Sequence, residues 1–340
     1  MQKIKIAQIG TGHDHAPLVF DALRRLPEVF DVVGFAQVPE DGGAIDAKYY
    51  AGAREYDVAD ILAMPDLDAI AVETFDLYLA RYALLAAEKG VHVHMDKACG
   101  EDIEVYERML STVKQKGTVF HTGYMYRVNP AVKSVFARAR SGDFGKIFAV
   151  DAEMSCKHAF PKRQWLGKLQ GGMMQYLGCH MVDLVVRLLG VPEEIVPYNY
   201  CTGIDGVTAT DAAFAVFCYP QALATVKSCI TDEGGFVRRS FTVHGEKGTA
   251  EIRPMEINIV YPSHIAARTT EYADIDGWNG AGRISDSETF DRYADMMKDF
   301  AETVTGKRKQ EVSFETEAQV ARCLLTACGI PCDFKKSIVL

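Results

Sequence analysis

The feature that most constrains the fold is a regular alternation of short apolar runs and amphipathic stretches between Lys3 and Tyr124. Short β-rich runs separated by helices predict a parallel sheet with helices on both faces. The predicted strands are Ile4–Ile9, Asp31–Gln37, Ala69–Glu73, Val91–Met95 and Thr118–His121, and the clearest helices are Ala16–Leu26, Leu77–Lys89 and Glu101–Lys116. We therefore predict an α/β fold in which residues 1–124 form a doubly wound domain.

After Tyr124 the pattern changes. Asn129-Pro130 predicts the start of a helix that runs to Ser141, and Gly171–Leu189 predicts a longer helix. The other predicted strands are Lys146–Cys156, Asp211–Tyr219, Ala222–Ile230, Ser240–His244 and Thr249–Arg253, followed by an irregular segment, Ile257–Ser287, and by helices Asp291–Val304 and Glu315–Cys328. Consecutive strands without intervening helices predict that residues 125–340 form an α/β domain with a large, mostly antiparallel sheet.

Composition excludes several classes of protein. The 340 residues are 48% apolar and 24% charged, with a formal net charge of −9, and the one basic cluster is Lys307-Arg308-Lys309. This balance indicates neither nucleic-acid binding nor, without an apolar run of about 18 residues, a membrane span. The nine cysteines form no C-x-x-C pair and no signal peptide is visible, so we expect reduced thiols and a cytoplasmic protein.

A glycine turn, Gly10-Thr11-Gly12, follows the first predicted strand and precedes the first helix. Such a turn lets the backbone approach a dinucleotide pyrophosphate at a helix N-terminus, although His15 stands where a third glycine is usual. The second strand ends at Gln37, a candidate for hydrogen bonding to ribose, with Glu40 and Asp41 close behind. Because no Arg or Lys lies nearby to pair with a 2′-phosphate, NAD is favoured over NADP.

His13-Asp14-His15 allows a metal interpretation. Three side chains on a tight turn do not all point one way, and no fourth ligand is evident. We therefore predict polar loop residues near a phosphate, or a helix N-cap, and no metal site.

Further motifs follow in order along the chain. They are Ile9-Gly10-Thr11-Gly12, Asp68-Ala69-Ile70, Gly90-Val91-His92-Val93, Asp96-Lys97-Ala98, Tyr126-Arg127-Val128-Asn129-Pro130, Gly171-Gly172, Gly178-x-His180-x-x-Asp183 and Gly245-x-x-Gly248. In their order and spacing the chain resembles the glucose–fructose oxidoreductase / inositol 2-dehydrogenase / rhizopine catabolism (Gfo/Idh/MocA) dehydrogenases. The resemblance implies a Rossmann domain, a second domain whose open-faced sheet often forms a dimer interface, and NAD(P)-dependent hydride transfer at a hydroxyl or ketone of a sugar, cyclitol or related polyol.

The chain departs from this family at three motifs. The family's Glu-Lys-Pro reads Asp96-Lys97-Ala98, so Lys97 is kept while its neighbours change. His180 is kept, but Tyr176 replaces the Asp that the family places four residues earlier. The Thr-Pro-Asn of the nicotinamide region reads Thr74-Phe75-Asp76.

The resemblance implies catalytic roles for Lys97, Tyr176 and His180. Tyr176, His180 and Asp183 share one face of the predicted helix. His180 is expected to act as general base in alcohol oxidation and as acid in the reverse direction, because the pKa of imidazole lies near neutral pH. Lys97 would polarise the hydroxyl, and Tyr176 would share the proton relay or shape the pocket. The alternatives are a core histidine held by Asp183 and an exposed surface lysine.

The remaining expectations concern ligands and partners. The predicted cofactor-binding residues are Gly10, Thr11, Gly12, His13, His15, Gln37, Thr74, Asp76 and Lys97, and the predicted substrate-binding residues are Tyr126, Arg127, Lys157, His158, Trp165 and Asp183. Trp165 suits a sugar ring, although a core or interface role is equally open. A homodimer or homotetramer through the C-terminal sheet is expected. Two other functions remain open, a non-catalytic dinucleotide sensor and a lyase or epimerase that uses bound NAD transiently.

Overall fold

The computed structural model describes residues 3–43, 45–273 and 280–336. The described residues divide into two compact units. Residues 3–43, 45–124 and 293–321 form the first, and residues 125–273, 280–292 and 322–336 form the second.

The first unit contains a five-stranded sheet in the order β2-β1-β3-β4-β5, in which every pair is parallel. Its strands are β1 Ile4–Ile9, β2 Phe30–Ala36, β3 Ala69–Val72, β4 His92–Met95 and β5 Phe120–Thr122. Its helices in this part of the chain are α1 Ala16–Arg24, α2 Ala47–Tyr50, α3 Val58–Ala63, α4 Leu79–Lys89 and α5 Ile103–Lys116. The predicted parallel α/β domain is confirmed. The strand order reverses at β1 and β3, and ligands of open α/β sheets bind beyond the carboxyl ends of the strands at such a point.

Local sequence accounts for these elements. All four residues of β3 are buried, as expected of a parallel strand covered on both faces. Helix α1 buries Val19, Phe20 and Leu23 on one side. Helix α4 ends at Gly90, whose φ of 86° is left-handed and favours glycine.

The second unit contains an eight-stranded sheet in the order β15-β14-β11-β10-β6-β9-β8-β7. Its helices are α6 Pro130–Ser141, α7 Phe160–Trp165 and α8 Cys179–Leu189. Its strands are β6 Ile147–Glu153, β7 Glu194–Pro197, β8 Ala212–Tyr219, β9 Ala222–Cys229, β10 Ser240–Gly245, β11 Gly248–Ile252, β14 Arg268–Tyr272 and β15 Arg283–Asp286, and β12 Ile257–Val260 pairs separately with β13 His264–Ala266. Only the β6–β9 pair of the large sheet is parallel, so the predicted mostly antiparallel sheet is confirmed.

One face of this sheet is covered and the other is open. Helix α8 packs against β6 and β9. Val150 and Ala152 of β6 are buried and Asp151 between them is exposed, and in β9 Leu223 is 53% exposed while the next residue, Ala224, is buried. This alternation is the pattern of a sheet with one solvent-facing side.

Three predictions about elements need correction. The predicted helix Gly171–Leu189 is not one α-helix, because Met174–Gly178 forms a π-helical turn before α8 and Gly172 has a φ of 48°. The segment Ile257–Ser287, predicted to be irregular, contains β12 to β15, while its residues 274–279 lie outside the described part of the chain. The segment 293–321, predicted to belong with the C-terminal domain, groups with the first unit, because its helix α9 Ala294–Val304 packs against α1. The last helix is α10 Phe314–Ala327.

Among the described residues, no helix has the length and apolar character needed to cross a membrane.

Candidate functional site

The glycine turn lies between β1 and α1, as predicted. Gly10 has a φ of 90°, and a Cβ atom built on it would lie 2.5 Å from the backbone nitrogen of Thr74. Both the left-handed conformation and the close approach of the chain after β3 therefore require glycine here. At Gly12 the constraint is the Asp41 side chain, because an added Cβ would lie 2.4 Å from its Oδ1 and the carboxylate would have to move.

The backbone amides of this turn hold a carboxylate of the protein itself. Asp41 lies on a 3-10 turn, Pro39–Asp41, that follows β2. Its Oδ2 accepts a hydrogen bond from the Thr11 amide at 2.7 Å, and its Oδ1 accepts one from the Phe75 amide at 2.9 Å. Burial raises the pKa of Asp41, against the effect of these bonds. The turn is thus an anion-binding structure that a side chain occupies.

The other candidates after β2 are held elsewhere. The Gln37 side chain donates to Oε1 of Glu55 at 2.8 Å. Glu40 accepts a hydrogen bond from the Tyr82 hydroxyl at 2.9 Å and pairs with Arg81 at 3.1 Å. Glu55 therefore brings a carboxylate to the end of β2.

Beyond the carboxyl ends of β1, β3 and β4 lies a buried ionic cluster. Nζ of Lys97 is 3.6 Å from Oδ1 of Asp76, and the same oxygen is 3.7 Å from Nε2 of His13. Lys97 is 1% exposed, so it is not the surface lysine that the alternative interpretation describes. Although burial opposes ionisation, the charges of Lys97 and His13 lower the pKa of Asp76.

Asp96 connects the two histidines of the turn. Its Oδ2 is 3.1 Å from Nδ1 of His13 and 3.1 Å from Nδ1 of His15. Against burial, both imidazoles hold the pKa of Asp96 well below its usual range. Burial likewise opposes protonation of His13, but the carboxylates of Asp96 and Asp76 raise its pKa to about 9. His15 is the N-cap residue of α1, yet its side chain makes no capping hydrogen bond.

A second layer of titratable groups lies against Asp96. Burial and the charge of Asp96 raise the pKa of Glu73, which follows β3, well above its usual range. Nε2 of His94 is 3.5 Å from Glu73, and Nδ1 of His94 is 2.9 Å from Nδ1 of His121. Burial and the charge of His121 lower the pKa of His94 to about 3.

Asp41 was expected only as a residue close behind Gln37 near the ribose, and Glu73, His94 and the carboxylate of Asp96 were not predicted as site residues. A signal was present for two of them, because Glu73 and Asp96 directly follow neighbouring parallel strands, whose carboxyl ends meet at one edge. The position of Asp41 after the second predicted strand was noted, but its contact with the glycine turn comes from the fold.

In the second unit, Asp183 and His180 of α8 contact different residues. Asp183 is buried and accepts hydrogen bonds from Arg127, at 2.6 Å to one terminal nitrogen and 3.1 Å to Nε. The His180 ring lies edge-on to the Tyr126 ring, with centroids 5.6 Å apart. Asp183 is therefore an ion-pair partner of Arg127.

Tyr176 belongs to an aromatic group around α7. Its ring lies edge-on to Trp165 with centroids 5.5 Å apart, and the Lys162 ammonium is 3.3 Å from the Trp165 centroid and 4.7 Å from the Tyr176 centroid. The π-helical turn before α8 changes the angular spacing between Tyr176 and His180 from that of an α-helix. Their predicted common face is therefore altered.

The other predicted substrate residues differ in exposure. Tyr126 is buried and its hydroxyl accepts a hydrogen bond from Arg239 at 3.4 Å, while burial and the charge of Glu256 raise its pKa to about 12. Lys157 is exposed and pairs with Glu233, and His158 is half-buried.

Several known proteins are similar to this chain in sequence. Residues 132–251 match the GFO/IDH/MocA C-terminal domain. The uncharacterized oxidoreductase ORF334 of Rhizobium meliloti is 23% identical over 193 residues, which cover 56% of this chain and 58% of that protein. The 2,7-anhydro-N-acetylneuraminate hydratase of Mediterraneibacter gnavus is 25% identical over 199 residues, which cover 57% of this chain and 52% of that protein. The chain thus spans about half the length of these curated relatives.

Among solved structures, KijD10, a 3-ketoreductase from Actinomadura kijaniata in complex with NADP and TDP-benzene, superposes with a TM-score of 0.77 at 16% identity. The match covers 95% of this chain and 96% of that one. With its parallel and mostly antiparallel sheets, its glycine turn and the match of residues 132–251 to the C-terminal domain, the chain is similar to the Gfo/Idh/MocA oxidoreductases.

Proposed function

We propose that the protein is an NAD(P)-dependent oxidoreductase that transfers a hydride between nicotinamide and a hydroxyl or ketone of a sugar, cyclitol or related polyol. The observation that carries the proposal is the buried ammonium of Lys97, which follows β4 at the carboxyl edge of a parallel sheet whose glycine turn binds an anion. KijD10, a 3-ketoreductase whose structure was solved in complex with NADP, supports the proposal. Its structure was also solved with a tyrosine replaced by phenylalanine and with a lysine replaced by alanine.

The glycine turn fits the anionic part of a dinucleotide. The amides around Thr11 already bind a carboxylate, and the Cβ atoms missing from Gly10 and Gly12 keep the backbone open. When bound, the nicotinamide supplies the hydride acceptor or donor. Gly10, Thr11 and Gly12 would hold the diphosphate, His13 and His15 would face it from the start of α1, and Thr74 and Asp76 would line the region beyond β3.

NAD remains the preferred nucleotide in this proposal. The 2′-phosphate of NADP carries negative charge, and Gln37 contacts the Glu55 carboxylate instead of a cation. KijD10 was solved with NADP, so the preference needs a direct measurement.

Lys97 is proposed to bind and polarise the reacting oxygen. An ammonium held against Asp76 in a buried setting stabilises negative charge that develops on a substrate oxygen. The Lys97 side chain has few accessible rotamers, because it is buried within the ionic cluster.

His180 is proposed to move the proton. In oxidation the imidazole takes the hydroxyl proton, and in reduction it returns that proton to the carbonyl oxygen. Tyr176 is proposed to share this step or to shape the pocket. Trp165, Tyr126, Arg127, Lys157, His158 and Asp183 are proposed to position the substrate, with Asp183 acting through its ion pair to Arg127.

The test begins with titration of the purified protein with NADH and with NADPH, followed by a screen of polyols and sugars for nucleotide reduction. We expect tighter binding of NADH than of NADPH, and turnover that loses most of its kcat in Lys97→Ala and in His180→Ala with the fold intact. Lys298→Ala, which removes an exposed lysine paired with Asp295, is the control. Absence of binding by both nucleotides would refute the proposal.

The same screen tests the other functions. Nucleotide binding without turnover would indicate a sensor, and product formation without net NADH would indicate a lyase or epimerase. The open face of the sheet, with Phe148 and Leu223, is the proposed surface for a homodimer or homotetramer in the cytoplasm.

A further inference from the structure

Two histidine rings contact each other on neighbouring strands of the parallel sheet. His94 of β4 lies opposite His121 of β5 in the register of the sheet, and their Nδ1 atoms are 2.9 Å apart. At this distance an N–H of one ring donates to the nitrogen of the other. The Phe300 ring packs against both, with its centroid 6.0 Å from that of His94 and 5.7 Å from that of His121. A shared proton therefore joins the two side chains.

The buried side of this pair meets the Glu73 carboxyl group. Nε2 of His94 is 3.5 Å from Oε1 of Glu73, and both side chains are fully buried. Burial, the charge of Asp96 and a hydrogen bond with Asp96 all raise the pKa of Glu73, which favours the protonated acid. Among the described residues Nε2 of His94 has no hydrogen-bond partner, and a small rotation of the Glu73 carboxyl turns its proton toward this nitrogen.

His94 can take up one proton while it releases another. Burial and the charge of His121 lower the pKa of His94 to about 3, so the ring is neutral and carries one N–H. With this N–H on Nδ1, the ring donates to His121 and accepts from Glu73 at Nε2. When the O–H bond of Glu73 and the Nδ1–H bond of His94 break, N–H bonds form at Nε2 of His94 and at Nδ1 of His121. One proton has then moved from the acid to the second histidine.

The outer end of this chain of groups reaches solvent. The His121 side chain is 14% exposed, and its Nε2 is 3.7 Å from Oδ2 of Asp299, which is 19% exposed. Asp299 also pairs with Arg308. A proton that arrives at Nδ1 of His121 can therefore leave from Nε2 to water, because an imidazole binds protons at both ring nitrogens.

The inner end of the chain leads to the Lys97 ammonium. Asp96, which accepts the hydrogen bond of Glu73, lies 3.1 Å from His13. His13 in turn lies 3.7 Å from Asp76, and Asp76 lies 3.6 Å from Lys97. All five of these side chains are buried. Contacts between titratable groups thus continue from the ammonium to the surface of the first unit.

We propose that Glu73, His94 and His121 form a proton relay between the buried ionic cluster and solvent. The inference rests on the proposed hydride transfer, in which oxidation of a hydroxyl gives one hydride to nicotinamide and one proton to the protein. His180 exchanges that proton with the substrate oxygen, and Lys97, on the same oxygen, links the oxygen to the cluster. In oxidation the relay carries a proton from the cluster to solvent, and in reduction it carries one inward.

The first experiment measures turnover of the full chain with NAD and a polyol from the screen, at several concentrations of imidazole buffer. His121→Gln removes the solvent-side ring, and we expect kcat to fall at least about 10-fold at low buffer concentration while KM stays unchanged. Added imidazole should restore its kcat, because a free imidazole can reach this partly exposed position. His94→Gln should show the same loss without recovery, because its position is fully buried.

The matched control is His92→Gln, on the same strand as His94. The Nδ1 atom of His92 accepts a hydrogen bond from the Val119 amide at 3.0 Å, outside the relay. We expect its kcat to equal that of the wild type at every buffer concentration. Circular dichroism checks the fold, and His121→Gln decides the matter if His94→Gln does not fold. Turnover of folded His121→Gln equal to that of the wild type overturns the relay.

A second measurement needs no substrate. In NMR spectra of the histidine ring nitrogens, both nitrogens of His94 should have shifts between those of protonated and unprotonated imidazole, because the two arrangements of the ring interconvert. A His94 ring fixed in one tautomer overturns the relay even where hydride transfer is confirmed. Averaged shifts in a chain that turns over no polyol would support the relay and count against the proposed function alone.

Discussion

Asp41 and the glycine turn permit a direct test of how this protein controls access to its nucleotide site. The Asp41 carboxylate binds the Thr11 amide at 2.7 Å and the Phe75 amide at 2.9 Å. A diphosphate on the same turn needs the Thr11 amide, so the carboxylate competes with it from within the chain. Replacing Asp41 by alanine removes the competitor, and replacing it by asparagine keeps a weaker acceptor.

The magnitude follows from the hydrogen bond that must be displaced. A hydrogen bond to a charged group contributes about 1.5–3 kcal/mol, so its removal should lower the Kd for the dinucleotide about 10- to 150-fold in Asp41→Ala. In Asp41→Asn a neutral hydrogen bond of about 1 kcal/mol remains, so the gain in dinucleotide affinity should be smaller than in Asp41→Ala. Because burial raises the pKa of Asp41, acidification toward that pKa protonates the wild-type carboxyl and should tighten dinucleotide binding. This pH dependence should be absent from both variants.

The assay is titration of NADH fluorescence at a series of pH values, with circular dichroism to confirm the fold. Glu40→Gln is the control, because it removes the charge of the residue next to Asp41. The Glu40 carboxylate contacts Tyr82 and Arg81 rather than the glycine turn. Equal or weaker binding by folded Asp41→Ala would refute the competition and show that the carboxylate supports the turn. Failure of every variant to bind would instead refute the nucleotide proposal.

Three further predictions concern stability and turnover. Gly10→Ala should lower the free energy of unfolding by about 2–4 kcal/mol, measured by urea denaturation, because its Cβ meets Thr74. Gly42→Ala, whose φ of 75° is also left-handed but which has no atom within 4 Å of the added Cβ, should cost only about 1 kcal/mol. Equal losses would contradict the steric argument. Asp183→Asn should cost about 3 kcal/mol in the same assay because it leaves Arg127 without its buried counter-charge, and an unchanged midpoint would contradict this. Lys97→Ala should reduce kcat about 100- to 1000-fold in the polyol assay, and unchanged turnover would exclude its role.

Sequence reasoning predicted the fold class well because hydrophobic periodicity is local. The fully buried run Ala69–Val72 and the amphipathic helix Leu79–Lys89 each carry their own pattern, and alternating units of this kind have few ways to pack. The position of Gly10 and Gly12 between a strand and a helix was predictable because it also depends on local hydrophobic periodicity. The π-helical turn at Met174–Gly178 was not predictable from the sequence. The backbone hydrogen bonds of an α-helix and a π-helix differ by one residue in spacing, and tertiary packing decides between them.

The sequence by itself determined the two kinds of sheet, the glycine turn and the placement of Lys97 after a parallel strand. Only the tertiary structure decided what these residues contact. Asp41 reaches the amides of a turn about 30 residues earlier in the chain, and Asp96 reaches histidines more than 80 residues away. Such contacts arise because parallel strands bring their carboxyl ends to one edge whatever the length of chain between them. Burial at this edge of the sheet, together with the neighbouring charges, then shifts the pKa of each ionisable side chain. A local sequence pattern does not predict this burial, because it results from the packing of distant segments.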